Sequence, residues 1–130
     1  MQKFEWSARY SVGIPEIDAE HRRLVELLGE FAQFTSSGDD SLASTMLRKL
    51  QTYAERHLQR EELLLRVRGY PEYAAHKAEH DAYRKKVASL QLDSARHDIG
   101  IRIANFLIHW WKFHILTADQ EYARFFRALP

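Results

Sequence analysis

Apolar side chains recur along this chain at alternating steps of three and four residues, a spacing that admits few architectures. Ile17, His21, Leu24, Leu28, Phe31 and Thr35 form one such stripe, and Met46, Leu50, Tyr53, His57, Glu61 and Leu64 a second. Tyr73, His76, His80, Tyr83, Val87 and Leu90 make the third; Ile99, Ile103, Phe106, Trp110, Phe113 or His114, and Thr117 make the fourth. Alternation of this kind averages about 3.5 residues, the period of helices packed side by side at a shallow left-handed angle. Turn residues punctuate the stripes. Asp18 follows Pro15 as a candidate cap of the first helix. Ser36-Ser37-Gly38-Asp39-Asp40 makes a turn, Gly69-Tyr70-Pro71 ends the second helix with proline in the first turn of the third, and Leu92-Asp93-Ser94 opens the fourth. The spacing predicts helices over about 18–37, 40–67, 71–91 and 94–117, followed by a C-terminal extension. Short connections favour antiparallel neighbours, so the expected fold is all-α: an up-down-up-down four-helix bundle filling residues 1–130 as one domain. Residues 1–15 read as an N-terminal arm with Phe4, Trp6 and Tyr10 tucked against the bundle.

Charge narrows the function classes. The 19 basic and 18 acidic residues are scattered and nearly balanced, which argues against a nucleic-acid or anionic-membrane binder. No run approaches the roughly 20 apolar residues of a membrane span, and the first residues lack a signal-peptide core. Without cysteine there is neither a disulfide framework nor a thiolate metal site. A cytoplasmic location fits these features.

Five histidines stand where a bundle needs apolar side chains: His21, His57, His76, His80 and His114, with Glu61 one turn after His57. One buried imidazole can be satisfied by a hydrogen bond; five in one dry space, beside a carboxylate, need a common partner. A pair of metal ions supplies it. His57 and Glu61 are four apart, as are His76 and His80, so each pair shares a helix face. His114 and Asp119 are five apart, about 140° around a regular helix, which leaves Glu121 as a rival to Asp119 unless a π-bulge or a helix end intervenes. His97 and His109 fall off the stripes and read as outer residues. Two bridging carboxylates with histidines divided three and two would leave one metal position open for a small ligand, and imidazole with carboxylate suits iron.

The residues that carry this pattern are Ile17-Asp18-Ala19-Glu20-His21, His57-Leu58-Gln59-Arg60-Glu61-Glu62, His76-Lys77-Ala78-Glu79-His80-Asp81, and Trp110-Trp111-Lys112-Phe113-His114-Ile115 followed by Asp119. In these the chain resembles the hemerythrins, specifically the single-domain bacteriohemerythrins, over nearly its whole length. The resemblance implies a non-haem centre of two iron ions (Fe2+/Fe3+) with an oxo or hydroxo bridge, binding dioxygen reversibly. By that resemblance the first iron takes His76, His80 and His114, the second takes His21 and His57, and Glu61 and Asp119 bridge them. Leu24, Trp110, Trp111 and Ile115 are the residues expected around the oxygen pocket. Family members usually carry leucine directly after the residue matching Trp110, so Trp111 is a departure. Its indole either roofs the open iron position or lies outside, over an interhelical groove. Glu20 and Glu79 are placed to support ligand histidines, or are solvated surface charges.

Two enzymatic readings compete. His76-Lys77-Ala78-Glu79-His80 formally matches the H-x-x-E-H zinc-hydrolase pattern, but Glu79 stands about 60° off the histidine line and three histidines stay unexplained. Carboxylate-rich oxidases use paired Glu-x-x-His motifs, and none occurs here. A dioxygen-binding protein is therefore expected rather than an enzyme, for carriage, storage or delivery. A sensory role would need a separate signalling partner, as delivery would need an oxygen-consuming one.

Overall fold

A computed structural model describes residues 4–38, 40–92 and 99–130. A 3-10 turn at Ala8–Tyr10 precedes α1 (Pro15–Ser37), α2 (Asp40–Val67), α3 (Tyr73–Leu92), α4 (Ile99–Leu116) and α5 (Ala118–Arg127). The first of these packs against α2 and α4, α2 also against α3, and α3 against α4, which closes an antiparallel four-helix bundle. His97 and the Asp93-Ser94 opening lie outside the described residues. No helix among those described is long and apolar enough to cross a membrane.

Helix ends follow from local chemistry, with two departures from the sequence expectation. Pro15, not the residue after Asp18, begins α1: proline has no N–H to waste in a first turn and its φ is already helical. Asp18, freed from capping, accepts hydrogen bonds from the Val12 N–H at 2.8 Å and the Ser11 hydroxyl, and so ties the arm to α1. At the far end of α2, the Gly69 N–H donates to Arg66 O at 3.1 Å and the Tyr70 N–H to Leu65 O at 2.9 Å. This is a Schellman closure, which requires the left-handed backbone that Gly69 adopts at φ 70°. Pro71 and Glu72 stay in the turn, and α3 begins at Tyr73.

The third stripe is buried as spaced: His76, His80, Tyr83, Val87 and Leu90 all face inward. The fourth is not. Ile103, Leu107, Ile108, Trp111, His114 and Ile115 are buried, whereas Phe106 and Trp110 are half-buried and Phe113 is 61% exposed. Helix α4 is apolar nearly all round, so an apolar period alone cannot say which phase faces the core. Wholly buried Leu24, Leu28, Leu50, Leu58 and Leu107 fill the bundle's interior, each contributing on the order of 2 kcal/mol by area removed from water. Phe4 and Tyr10 of the arm join that cluster, edge to face at 5.5 Å, with Trp6 packed beside them. A second cluster, of Val12, Ile17, Leu65, Tyr70 and Tyr122, seals the end where α5 lies.

Candidate metal centre

Each helix delivers its share of one polar island inside this apolar core. α1 brings His21, α2 His57 and Glu61, α3 His76 and His80, α4 His114, and α5 Asp119; all are buried, none more than 4% exposed. The imidazoles form two groups. His21 and His57 face each other, Nε2 to Nε2, at 3.0 Å. His80 and His114 do the same at 3.1 Å, and the rings of His76, His80 and His114 lie within 5.0 Å of one another.

The two carboxylates lie between these groups and divide their oxygens. Glu61 Oε1 is 2.8 Å from His76 Nε2 and 3.1 Å from His80 Nε2, while its Oε2 is 3.6 Å from His21 and 3.5 Å from His57. Asp119 repeats the division: Oδ1 lies 3.2 Å from His76 and 3.1 Å from His114, and Oδ2 lies 3.2 Å from His21. Close as they are, both Asp119 oxygens lack an aligned hydrogen-bond donor. Buried carboxylate oxygens without donors, and imidazole nitrogens meeting head to head, are costly unless a cation takes their lone pairs. The donor set fits metal ions on that ground.

Asp119 reaches the island because the last helix is broken. α4 stops at Leu116, Thr117 takes φ −116° and ψ −78°, and α5 starts at Ala118. The Thr117 N–H donates to Phe113 O and, less closely, to His114 O, and the Gln120 side-chain amide donates to Ile115 O at 3.3 Å. That last carbonyl is one an unbroken helix would offer to residue 119. The break turns Asp119 inward and leaves Glu121 exposed.

Electrostatics match the arrangement. Burial alone would raise the Glu61 carboxyl, but the surrounding imidazoles of His114, His21, His57 and His76 hold it well below the usual carboxylate range. Asp119 is likewise held low by its histidines, against burial and the neighbouring Glu61 charge. Burial disfavours charge on His57 and His76 too, yet their carboxylate partners raise both from 6.5 to about 9.

Residues 12–126 match the family described as the hemerythrin HHE cation binding domain. The chain belongs to the hemerythrin family. Bacteriohemerythrin of Clostridium acetobutylicum is 34% identical over 127 residues, covering 92% of this chain and 98% of that protein. Bacteriohemerythrin of Stenotrophomonas maltophilia is 33% identical over 119 residues, covering 91% and 78% respectively. A crystal structure of a mutant protein with phenylalanine in place of a leucine superposes with a TM-score of 0.86 at 25% identity, covering 95% of this chain and 97% of that one.

Three features of this hemerythrin domain differ from, or add to, the sequence reading. First, the two tryptophans exchange places. Trp111 is wholly buried, its ring 5.8 Å from that of His57 and 6.4 Å from that of His114, in one apolar cluster with Leu24 and Ile115. Trp110 lies at the rim and stacks on His114 at 4.4 Å, with planes 13° apart. Second, Glu20 is not a solvated charge. It is 8% exposed and accepts from His57 Nδ1 at 2.8 Å, and Arg60 holds its other oxygen. Glu79 is half exposed, with Oε1 3.5 Å from His114 Nδ1. Third, Glu62 and Tyr122 escaped the sequence reading. Glu62 accepts from His80 Nδ1 at 2.7 Å and pairs with Arg84 at 2.8 Å; the Tyr122 hydroxyl donates to Glu61 Oε2 at 2.9 Å. Adjacency to Glu61 was the available signal for Glu62. His109 is exposed, as its place off the stripes implies.

Proposed function

We propose that His76, His80 and His114 hold one iron ion, His21 and His57 a second, with Glu61 and Asp119 bridging, and that the protein reversibly binds dioxygen there. The observation that carries this reading is the division of both carboxylates' oxygens between the three-histidine and two-histidine groups. When bound, the iron pair supplies the two electrons that dioxygen takes up and the coordination position it occupies.

The chain's own residues set the conditions. Glu20 and Glu62 accept the Nδ1 protons of His57 and His80, which leaves the Nε2 lone pairs turned inward as ligands. Tyr122 fixes Glu61 through one oxygen. Trp111, beside His57, belongs with Leu24 and Ile115 to the apolar cluster of the bundle's interior, surroundings that would exclude water and stray protons from a bound gas. Burial and the nearby Glu61 and Asp119 charges raise the Tyr122 hydroxyl well above its ordinary range, so it holds its proton rather than giving it up. A pocket with no ready acid suits binding and release more than bond cleavage.

Anaerobic loading with ferrous iron, followed by metal analysis and an optical spectrum before and after air, tests the reading. Two irons per chain and a charge-transfer band that appears with oxygen and fades on its removal are expected. One iron per chain, with His21 and His57 dispensable, would sink it.

A further inference from the structure

Away from the histidine island, on the outer side of the α1–α2 pair, Arg23, Leu27, Arg48, Lys49, Thr52, Tyr53 and Arg56 line a cleft of about 390 Å3. Arg48, Thr52 and Arg56 are spaced four apart on one stripe of α2, with Lys49 and Tyr53 on the next, so two arginines two turns apart and a lysine share one face with a hydroxyl and a phenol between them. Some cations elsewhere are neutralised: Arg84 bonds Asp81, Glu55 and Glu62, Lys77 bonds Asp81, and Arg60 bonds Glu20, while the exposed Lys85 and Lys86 on α3 line no cleft and make no ion pair among the described residues. Around the cleft only Arg23 is matched, by Glu26 at 3.0 Å. Arg48, Lys49 and Arg56 make no ion pair among the described residues. Four cations therefore face one carboxylate.

We propose that this cleft binds a phosphorylated small organic anion of nucleotide size. Its volume falls in the range of small-molecule sites. Guanidinium forks and an ammonium suit phosphate oxygens, bidentate from arginine and as a point charge from lysine. The buried Leu27 and the half-buried Tyr53 ring supply apolar surface for the ligand's organic part. A docked acidic protein fits less well, because the cations converge on a hollow instead of spreading over the roughly 800 Å2 that a stable protein interface takes from each partner. None of the residues lining the cleft belongs to the metal centre, so the two sites stand or fall separately.

Calorimetric titration of the full chain with ATP, tripolyphosphate and adenosine tests this. Saturable one-to-one binding of ATP is expected, more than about tenfold tighter than adenosine and tighter than tripolyphosphate. Raising salt from about 0.1 M to about 1 M, which shortens the screening length from about 10 Å to about 3 Å, should weaken it. Removing two charge-assisted contacts in R48A/R56A should lower ATP affinity about a hundredfold. Thermal melting of that variant should match the parent, since both side chains are exposed and make no ion pair among the described residues, so lost binding will not reflect unfolding. K85A/K86A, which removes two α3 cations outside the cleft, should bind ATP as the parent does. The proposal is overturned by absent saturable ATP binding, by equal losses in both double variants, or by tripolyphosphate binding as tightly as ATP.

Discussion

Glu20 and Glu62 occupy matching places on the two sides of the histidine island. Each accepts a ring N–H from a histidine and is itself held by an arginine, Arg60 or Arg84. Removing the negative charge leaves the imidazole's tautomer and orientation unsupported. Glu20→Gln and Glu62→Gln should therefore each weaken metal binding by about 10- to 100-fold, measured by competition with a chelator. Unchanged affinity in both would return these carboxylates to the status of surface charges, the alternative that the sequence left open for Glu20. The sequence does not decide between the two for a physical reason: a charged residue beside a helix's core stripe looks the same whether its neighbour is water or a buried ring nitrogen. Trp111 poses the other residue-scale question. Its indole N–H donates to the Tyr83 hydroxyl at 3.1 Å, and the ring lies against His57. Trp111→Leu should open a path to the two-histidine side. Stopped-flow mixing should then show faster azide binding to the oxidised protein and faster autoxidation. Unchanged rates, with iron content intact, would make Trp111 a packing residue.

Among elements, α3 was the most legible in the sequence and α4 the least. On α3 charged residues separate the apolar and histidine positions, so one phase stands out, and those positions are the ones buried. On α4 the runs Phe106-Leu107-Ile108 and Trp110-Trp111 offer two phases, and the stripe through Phe106, Trp110 and Phe113 is the one that lies at the rim, half-buried at its first two positions and exposed at Phe113. Taking His114 as the fixed point and counting back by three and four gives Trp111, Leu107 and Ala104, all buried. The ligand spacing held the information that hydrophobicity lacked. Asp119 shows the limit of periodic reasoning: the Thr117 break places it, and no turn-forming residue announces that break. The α2 end is more conventional. Gly69 has open space around its Cα, so Gly69→Ala meets only the backbone cost of φ 70° in a residue with a Cβ. A loss of about 1 kcal/mol, lowering the melting temperature by about 4 °C, is expected, with metal content unchanged. A larger loss would mean that the α2–α3 turn also positions the ligands on both helices.

For the whole molecule, pH acts in opposite directions on the metal-free and loaded forms. His57 and His76, raised from 6.5 to about 9 in the metal-free chain, add stability that is whole below about 6.5 and lost as pH climbs through about 9. Glu61 and Asp119 are depressed, so their contribution is present above about 4.5 and lost as pH falls through their lowered values. The metal-free bundle should accordingly melt highest between about pH 4.5 and 6.5. Metal binding needs the same histidines unprotonated, so it releases protons and strengthens with rising pH. The difference in melting temperature between loaded and metal-free protein should widen from pH 6 towards pH 9, as calorimetry can measure; a constant difference would mean that these histidines are not ligands. The placement of the tryptophans has one more consequence. Trp110 stacks on His114 and Trp111 lies beside His57, while Trp6 sits in the arm under the Arg22 guanidinium. Two of the chain's three indoles thus touch the island and one does not, so the protein carries its own fluorescent gauge. Emission from the island pair should be quenched as metal enters, and the arm indole should glow on as an internal reference.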